Sequence, residues 1–245
     1  MPNLSPCEPF LRAVSLPPHR LSRSGDYPFN LPVVRALRDL ELHPVTYFVG
    51  ENGAGKSTLL EAIAVAAGFN AEGGSCNFAF STRATESELH RAIRLVRSAR
   101  RPRSGFFLRA ETFYNVATEI ERLGVAGSYG ARSLHELSHG EAFLALMQHR
   151  FGPNGLYILD EPEAALSPAR QLAFLRRLHA LVGHGSQFLI ATHAPIVLAY
   201  PTARIYQLGE NGIDVTTYEA APQVSLTRDF LNHRERFLLE LLGDD

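Results

Sequence analysis

The stretch GENGAGKS at residues 50–57 decides the fold class of this chain. It matches the phosphate-loop pattern G-x-x-x-x-G-K-S/T at every fixed position. The apolar run at residues 45–49 predicts a buried strand before the loop, and residues 58–64 predict the first turns of a helix after it. Glycines let such a loop curl until several backbone N–H groups converge on phosphate oxygens, and the helix adds its own unpaired N–H groups. The order of strand, loop and helix therefore predicts an α/β protein that binds a nucleotide.

The polar residues of the loop have predicted contacts with the nucleotide and its metal ion. Lys56 is expected to reach the β- and γ-phosphates, and the hydroxyl of Ser57 is expected to coordinate Mg²⁺. Lys56 is also the only lysine among 24 Lys and Arg residues. A general bias toward arginine explains the others, whereas a phosphate cradle favours a compact ammonium over a flat guanidinium. The nucleotide-binding residues predicted here are Gly50, Glu51, Asn52, Gly53, Ala54, Gly55, Lys56, Ser57 and Thr58.

Length and composition limit the class of protein. A chain of 245 residues can form one large domain with a sizeable core, and we expect a single domain over residues 1–245 with a helical lobe at about 81–150. The net charge of −1 excludes a general attraction to nucleic acid or acidic membranes. Cys7 and Cys76 lie far apart in no metal spacing, which is typical of a reducing compartment. With no long apolar run and no signal peptide, the predicted location is cytoplasmic, without membrane insertion.

A second motif follows the apolar run at residues 156–159, which predicts a buried strand beside the phosphate-loop strand. Asp160 and Glu161 come directly after it. An aspartate at this place holds Mg²⁺, usually through water, and the next glutamate acts as general base for the attacking water. Alone, such a pair is more typical of helix capping; together with a phosphate loop, it favours ATP hydrolysis.

The order and spacing of four motifs resemble the ABC-type ATPases. They are the phosphate loop, LSHGE at residues 137–141, LYILDE at 156–161 and Thr192-His193. The resemblance implies a mostly parallel central sheet flanked by helices, with an N-terminal antiparallel β portion and a small helical lobe. It also implies ATP-dependent homodimers, in which the LSHGE signature contacts ATP held by the second subunit. The same residues satisfy a plain capping box, and both interpretations can hold together.

The resemblance also implies roles for individual residues. His193 matches the switch histidine that contacts the γ-phosphate, although a lone histidine after a strand is more often structural. The implied catalytic residues are Lys56, Glu161 and His193, the implied Mg²⁺ ligands are Ser57 and Asp160, and the implied signature residues are Ser138, His139, Gly140 and Glu141.

Some residues depart from the transporter pattern. Transporter ATPase subunits carry a glutamine loop before the signature, but no glutamine lies between Lys56 and Gln148. Glu111 follows the predicted strand at 105–109, where that glutamine is expected, and we predict that it binds the nucleotide there. Ser167 stands where transporters usually have aspartate. These features resemble the soluble branch related to RecF, SMC and OLD-type ATPases, although no heptad arm interrupts the chain.

Two surfaces leave alternatives open. Tyr27 is a candidate for stacking on adenine, but packing of Tyr27 or Phe29 in a hydrophobic corner is the favoured interpretation. The arginines between Arg91 and Arg109 suit nucleic-acid phosphates, yet a solvated face in an arginine-rich chain is favoured. Residues 87–100 predict an amphipathic helix with Arg91, Arg94, Arg97 and Arg101 largely on its polar faces.

The predicted function is that of a soluble Mg²⁺-dependent ATPase that forms an ATP-sandwich dimer and couples hydrolysis to a protein partner or nucleic acid. The alternatives are the energising subunit of a transporter, a DNA- or RNA-associated repair or defence module, and a nucleotide-bound scaffold that hardly hydrolyses ATP.

Overall fold

Two β-sheets and the helices around them make up the computed structural model, which describes residues 7–20, 26–75, 88–109 and 139–243. The strands and longer helices in chain order are β1 (Leu11–Ser15), α1 (Pro32–Ala36), β2 (Leu40–Glu41), β3 (Val45–Gly50), α2 (Lys56–Ala67), α3 (Leu89–Ala92), β4 (Arg94–Arg97), β5 (Ser104–Arg109), α4 (His139–Arg150), β6 (Gly155–Asp160), α5 (Pro168–Gly183), β7 (Gln187–Ala191), α6 (Pro195–Leu198), β8 (Arg204–Gly209), β9 (Gly212–Thr216), α7 (Pro222–Asn232) and α8 (Arg234–Leu242).

The main sheet has six strands in the order β5-β6-β7-β3-β8-β9. The strands from β5 to β8 run parallel, and β9 is antiparallel to β8. A second, antiparallel sheet has the order β2-β1-β4. These sheets confirm the predicted α/β class with a mostly parallel sheet and an N-terminal antiparallel portion. In the part of the chain that the structure describes, no helix is both long enough and apolar enough to cross a membrane.

Both faces of the main sheet are covered, so its central strands are buried at every position. Along β3, Tyr47 packs into the core beneath α4 and α5, whereas its neighbour Phe48 packs into the core shared with α2 and β1. This alternation follows from the period of two in a strand, and burial on both faces explains the continuous apolar runs in the sequence.

The buried amide of Gln187 joins the two sheets. Its Oε1 accepts a hydrogen bond from the Leu11 N–H at 2.9 Å, and its Nε2 donates to the Leu11 carbonyl at 2.8 Å. Its Nε2 also lies 3.2 Å from the His43 carbonyl, just before β3. The side chain therefore takes the place of a neighbouring strand for Leu11 and holds β1 against the main sheet.

Several local predictions are wrong. The helix predicted over residues 87–100 is only the short α3, followed by strand β4, because β1 offers a free edge and places Val14 opposite Leu95. The strand predicted at 27–31 is a turn before α1, since Pro28 and Pro32 have no N–H for a sheet ladder. The C-terminal helix is two helices that meet at His233.

The expected strand neighbours also differ. Strand β6 was expected beside β3, but β7 lies between them. The strand at 77–80 and the helix at 113–123, both expected from the sequence, lie outside the described residues. The predicted lobe at 81–150 includes β4 and β5, which belong to the two sheets; its boundaries stay a prediction.

We predict that Gln187→Leu lowers the free energy of unfolding by about 3 kcal/mol, because the buried N–H and C=O of Leu11 lose their partners. Chemical denaturation followed by circular dichroism measures the change. Gln148→Leu, at an exposed position of α4, is the matched control and is expected to leave stability nearly unchanged. Equal stability of the Gln187 variant and the native chain would contradict this role.

Candidate active site

The phosphate loop connects β3 to α2, as the sequence predicted. Gly50 and Gly55 take positive φ angles of 151° and 90°. A Cβ on Gly50 would collide with the Leu208 carbonyl, and one on Gly55 would lie 2.6 Å from Cγ1 of Val33. Only glycine satisfies both the backbone conformation and the close approach at these positions. The loop is thus pressed between α1 and β8.

Lys56 begins α2 and is almost completely buried. Its Nζ donates to the carbonyls of Gly50 and Glu51, both at 3.0 Å. Burial lowers the pKa of the Lys56 ammonium, while the carboxylates of Glu161, Asp160 and Glu163 act in the opposite direction. The ammonium is therefore held inside the curl of the loop, where phosphate oxygens would meet it.

Ser57 and Asp160 bring the two sequence motifs together. The Ser57 hydroxyl donates to Oδ1 of Asp160 at 3.1 Å, although β7 separates β3, which precedes the phosphate loop, from β6, which ends at Asp160. The contact is possible because Ser57 lies on α2, which packs across the sheet onto β6. A hydroxyl and a carboxylate are oxygen ligands that suit Mg²⁺, which completes its coordination with phosphate oxygens and water. The described residues contain no cluster of three or more His, Cys, Asp or Glu that would hold a metal without a nucleotide.

Glu161 takes a left-handed backbone conformation, with φ 52° and ψ 53°. Such a conformation costs a non-glycine residue roughly 1 kcal/mol or more and is maintained only by its surroundings. Here the Glu161 N–H donates to the Ala191 carbonyl of β7 at 3.0 Å. The turn directs the carboxylate toward the phosphate loop, and its Oε1 lies 3.5 Å from Nε2 of His193.

Glu163 is a site residue that the sequence did not single out. Its Oε1 accepts a hydrogen bond from the backbone N–H of His193 at 2.6 Å. Its Oε2 and the Nε2 of His193 are buried without a hydrogen-bond partner among the described residues. The sequence signal was present, since Glu163 follows Glu161 by two positions, but nothing in the sequence placed it against the end of β7.

The signature motif is described only in part, because Leu137 and Ser138 lie outside the described residues. Glu111, the predicted replacement for the glutamine of transporters, also lies outside them. Gly140 lies in the first turn of α4, where a Cβ would lie 2.6 Å from the Ala165 carbonyl. Glu141 forms an ion pair with Arg170 at 3.1 Å. The signature helix is therefore packed against the segment that follows Glu161 and against the start of α5.

Tyr27 lies at the mouth of the phosphate loop and not in a hydrophobic corner. Its side chain is 63% exposed, and its hydroxyl lies 2.9 Å from Oγ1 of Thr58. It lines a cavity of about 430 Å³ together with Asn52, Lys56 and Glu161. Phe29 is the residue that packs into the core, as the favoured interpretation predicted for one of the two. The Tyr27 ring is thus accessible from the nucleotide side.

A phosphate loop whose serine meets an aspartate at the end of a second strand defines the class of P-loop ATPases, and the fold agrees with it. The sequence model of the ABC transporter family matches residues 38–164, just over half of the chain. The chain belongs to this family and is an ABC-type P-loop ATPase. The resemblance of the sequence to the ABC-type ATPases is therefore confirmed as membership of the family.

The solved structures that are similar to this chain include two of the following description. A protein described as a metal-chelate type ABC transporter, in an inward-facing conformation, is 19% identical with a TM-score of 0.43, over 75% of this chain and 76% of that one. The SMC head domain from Thermotoga maritima is 18% identical with a TM-score of 0.42, over 84% of this chain and 98% of that one. No curated protein sequence matches.

We predict that Glu163→Ala speeds hydrogen exchange of the His193 amide at least about tenfold, because this N–H loses its acceptor. Exchange measured by NMR or mass spectrometry on the nucleotide-free protein gives the rate. Glu163→Gln keeps an acceptor oxygen and is expected to retain most of the protection. Native protection in the alanine variant would show that Glu163 does not hold the His193 backbone.

Proposed function

We propose that this chain hydrolyses MgATP to ADP and phosphate in a dimer that encloses two nucleotides, one at each phosphate loop. The observation that carries the proposal is the 3.1 Å contact between Ser57 and Asp160, with Glu161 next to it and His193 3.5 Å from Glu161. The residues proposed to bind Mg²⁺, to act as general base and to contact the γ-phosphate thus lie close together.

Nucleotide binding falls to the loop amides of residues 50–55 and to the N-terminus of α2, a helix of 12 residues. Unpaired N–H groups and the positive end of the helix dipole favour the phosphates. Lys56 turns its ammonium from the Gly50 and Glu51 carbonyls to the β- and γ-phosphate oxygens. Ser57 and Asp160 would hold Mg²⁺, which neutralises charge on the β- and γ-oxygens when bound.

Glu161 is the proposed general base. Its carboxylate takes a proton from water while the water oxygen attacks the γ-phosphorus, and the bond to the β–γ bridging oxygen breaks with its electrons leaving on ADP. His193 lies beside Glu161 and donates to the γ-phosphate or the water. Glu163 holds the His193 backbone, so that this geometry is present before the nucleotide binds.

The second half of each site comes from the partner subunit in this proposal. The implied signature residues are Ser138, His139, Gly140 and Glu141, and α4, a helix of 12 residues, begins at His139 with an N-terminus that favours an anion. The packing of Gly140 on the Ala165 carbonyl and the ion pair between Glu141 and Arg170 support a fixed orientation of this segment. Hydrolysis is then slow in the monomer.

We also propose that opening and closing of the dimer is coupled to a protein partner or to a nucleic acid.

We predict that Glu161→Gln binds ATP but hydrolyses it at least about 100-fold more slowly, because the amide cannot take the proton. The variant is expected to accumulate as an ATP-bound dimer, measured by size-exclusion chromatography with light scattering. Lys56→Ala is expected to stay monomeric, and Glu210→Gln, on the exposed β8–β9 turn, is the matched control with native behaviour. If Glu161→Gln remains monomeric in saturating MgATP while the native chain turns over, the sandwich mechanism is wrong.

We also propose that Tyr27 stacks on the base. Tyr27→Ala is expected to raise the KM for ATP about fivefold with little change in kcat, since one stacking contact contributes about 1 kcal/mol. Tyr27→Phe keeps the ring and is expected to keep the native KM. The same increase in both variants would assign the effect to the Thr58 hydrogen bond instead.

A further inference from the structure

A second cavity lies at the opposite end of the main sheet from the phosphate loop. It has a volume of about 430 Å³ and is lined by the first residues of β5 and β6 and by Phe69, just beyond the end of α2. The active site lies where these elements have their other ends, at Asp160 and Lys56. Since α2 has 12 residues, the two sites are about 18 Å apart along this helix.

The wall of this cavity is strongly basic. Neither aspartate nor glutamate is among its lining residues in the part of the chain that the structure describes. The basic lining residues are Arg97, Arg100, Arg101, Arg103, His149 and Arg150. Like charges brought together without carboxylates repel one another, so such a wall is a place where a bound anion relieves the repulsion.

Some of these basic side chains make contacts that stabilise the fold. Arg97 donates to the Ala66 carbonyl at the end of α2, and Arg100 donates to Oδ1 of Asn154 and the Gly185 carbonyl while lying over the Phe10 ring. His149 and Arg150 lie in the last turn of α4, where basic side chains are favoured by the helix dipole. These contacts explain part of the charge but also hold the guanidinium of Arg100 rigidly in the wall.

Arg101 and Arg103 keep most of their side-chain N–H groups out of contacts with the described residues. Within the described residues, Arg101 donates only from its Nη1, to the Ser98 carbonyl at 3.0 Å and to the Arg100 carbonyl at 3.3 Å. The side chain of Arg103 makes no hydrogen bond or ion pair with the residues that the structure describes. Both side chains are exposed at the cavity mouth, on either side of Pro102. Their free N–H groups can therefore meet a ligand without breaking contacts of the fold.

We propose that this cavity binds an anion that carries two or more phosphate groups and has about the size of a nucleotide. The volume falls within the roughly 300–1,000 Å³ of small-molecule sites. Planar guanidinium groups match phosphate oxygens in pairs, and several of them around one concavity suit a compact ion of high charge better than a peptide with one charge per side chain. The phosphates come either from a free nucleotide or from a nucleic-acid strand. The site is separate from the phosphate loop and does not depend on hydrolysis.

The test uses the full chain with Lys56→Ala, which removes nucleotide binding at the phosphate loop. Calorimetric titration with inorganic pyrophosphate, adenosine 3′,5′-bisphosphate and a short oligothymidine strand identifies the source of the phosphates. We expect saturable binding at low salt to at least one probe, weakened at least about tenfold by adding Arg101→Ala and Arg103→Ala, because charge-assisted hydrogen bonds are lost. Preference for the bisphosphate assigns a free nucleotide, and preference for the oligothymidine assigns a strand.

The matched control adds Arg228→Ala and Arg234→Ala, two exposed arginines on the C-terminal helices, to the Lys56 variant. It removes the same charge and is expected to bind as tightly as the parent. Equal weakening by the two arginine pairs, binding of no probe, or tighter binding of a polyglutamate peptide would each overturn the proposal. With Lys56 restored, Arg101→Ala and Arg103→Ala are expected to bind MgATP normally, which shows that the fold is intact.

Discussion

The hydrogen bond from Ser57 to Asp160 is the contact on which the arrangement of this molecule depends. The two residues are 103 positions apart, and the strands nearest to them in the chain, β3 and β6, are not neighbours in the sheet. They meet because of the orientation of α2 on the sheet and the position at which β6 ends. The burial of α2 residues such as Leu59 and Ile63 against the sheet determines the orientation of α2. The parallel register of β6 with β7 determines where Asp160 lies. Core packing is therefore what brings the Ser57 hydroxyl and the Asp160 carboxylate together.

Strand β7 positions several residues of the candidate active site, although its own sequence carries no motif that predicts this. It lies between the two motif strands, and its Ala191 carbonyl holds the strained backbone of Glu161. Its last residues lead to His193, whose N–H is bound by Glu163. Its first residue, Gln187, holds the antiparallel sheet. A change in the position of β7 would thus alter the positions of Glu161 and His193 and the joint between the sheets together.

The two cavities at opposite ends of the main sheet differ in the sign of the charged residues around them. Carboxylates of Asp160, Glu161 and Glu163 lie around Lys56 at the carboxyl ends of the strands. Among the described residues, the cavity at the other end is lined by arginines and by no Asp or Glu. The net charge of −1 hides this separation, because it sums the two ends. Composition predicts no general attraction to polyanions, but it carries no information about a local basic surface.

The sequence by itself determined the α/β class, the strand–loop–helix unit at residues 45–67 and the motif residues, because these follow from apolar periodicity and from the glycines that the loop requires. Prediction from the sequence was wrong where pairing with a distant strand outweighed the local preference of a segment for helix. The arginine-rich stretch around Arg94 has helical periodicity, yet it forms a strand because β1 has a free edge beside it. Only the tertiary structure decided that β7 separates the motif strands, that Glu163 contacts His193 and that Tyr27 faces the phosphate loop. Each of these is a contact between distant segments, and a pattern within one segment carries no information about which other segment it meets.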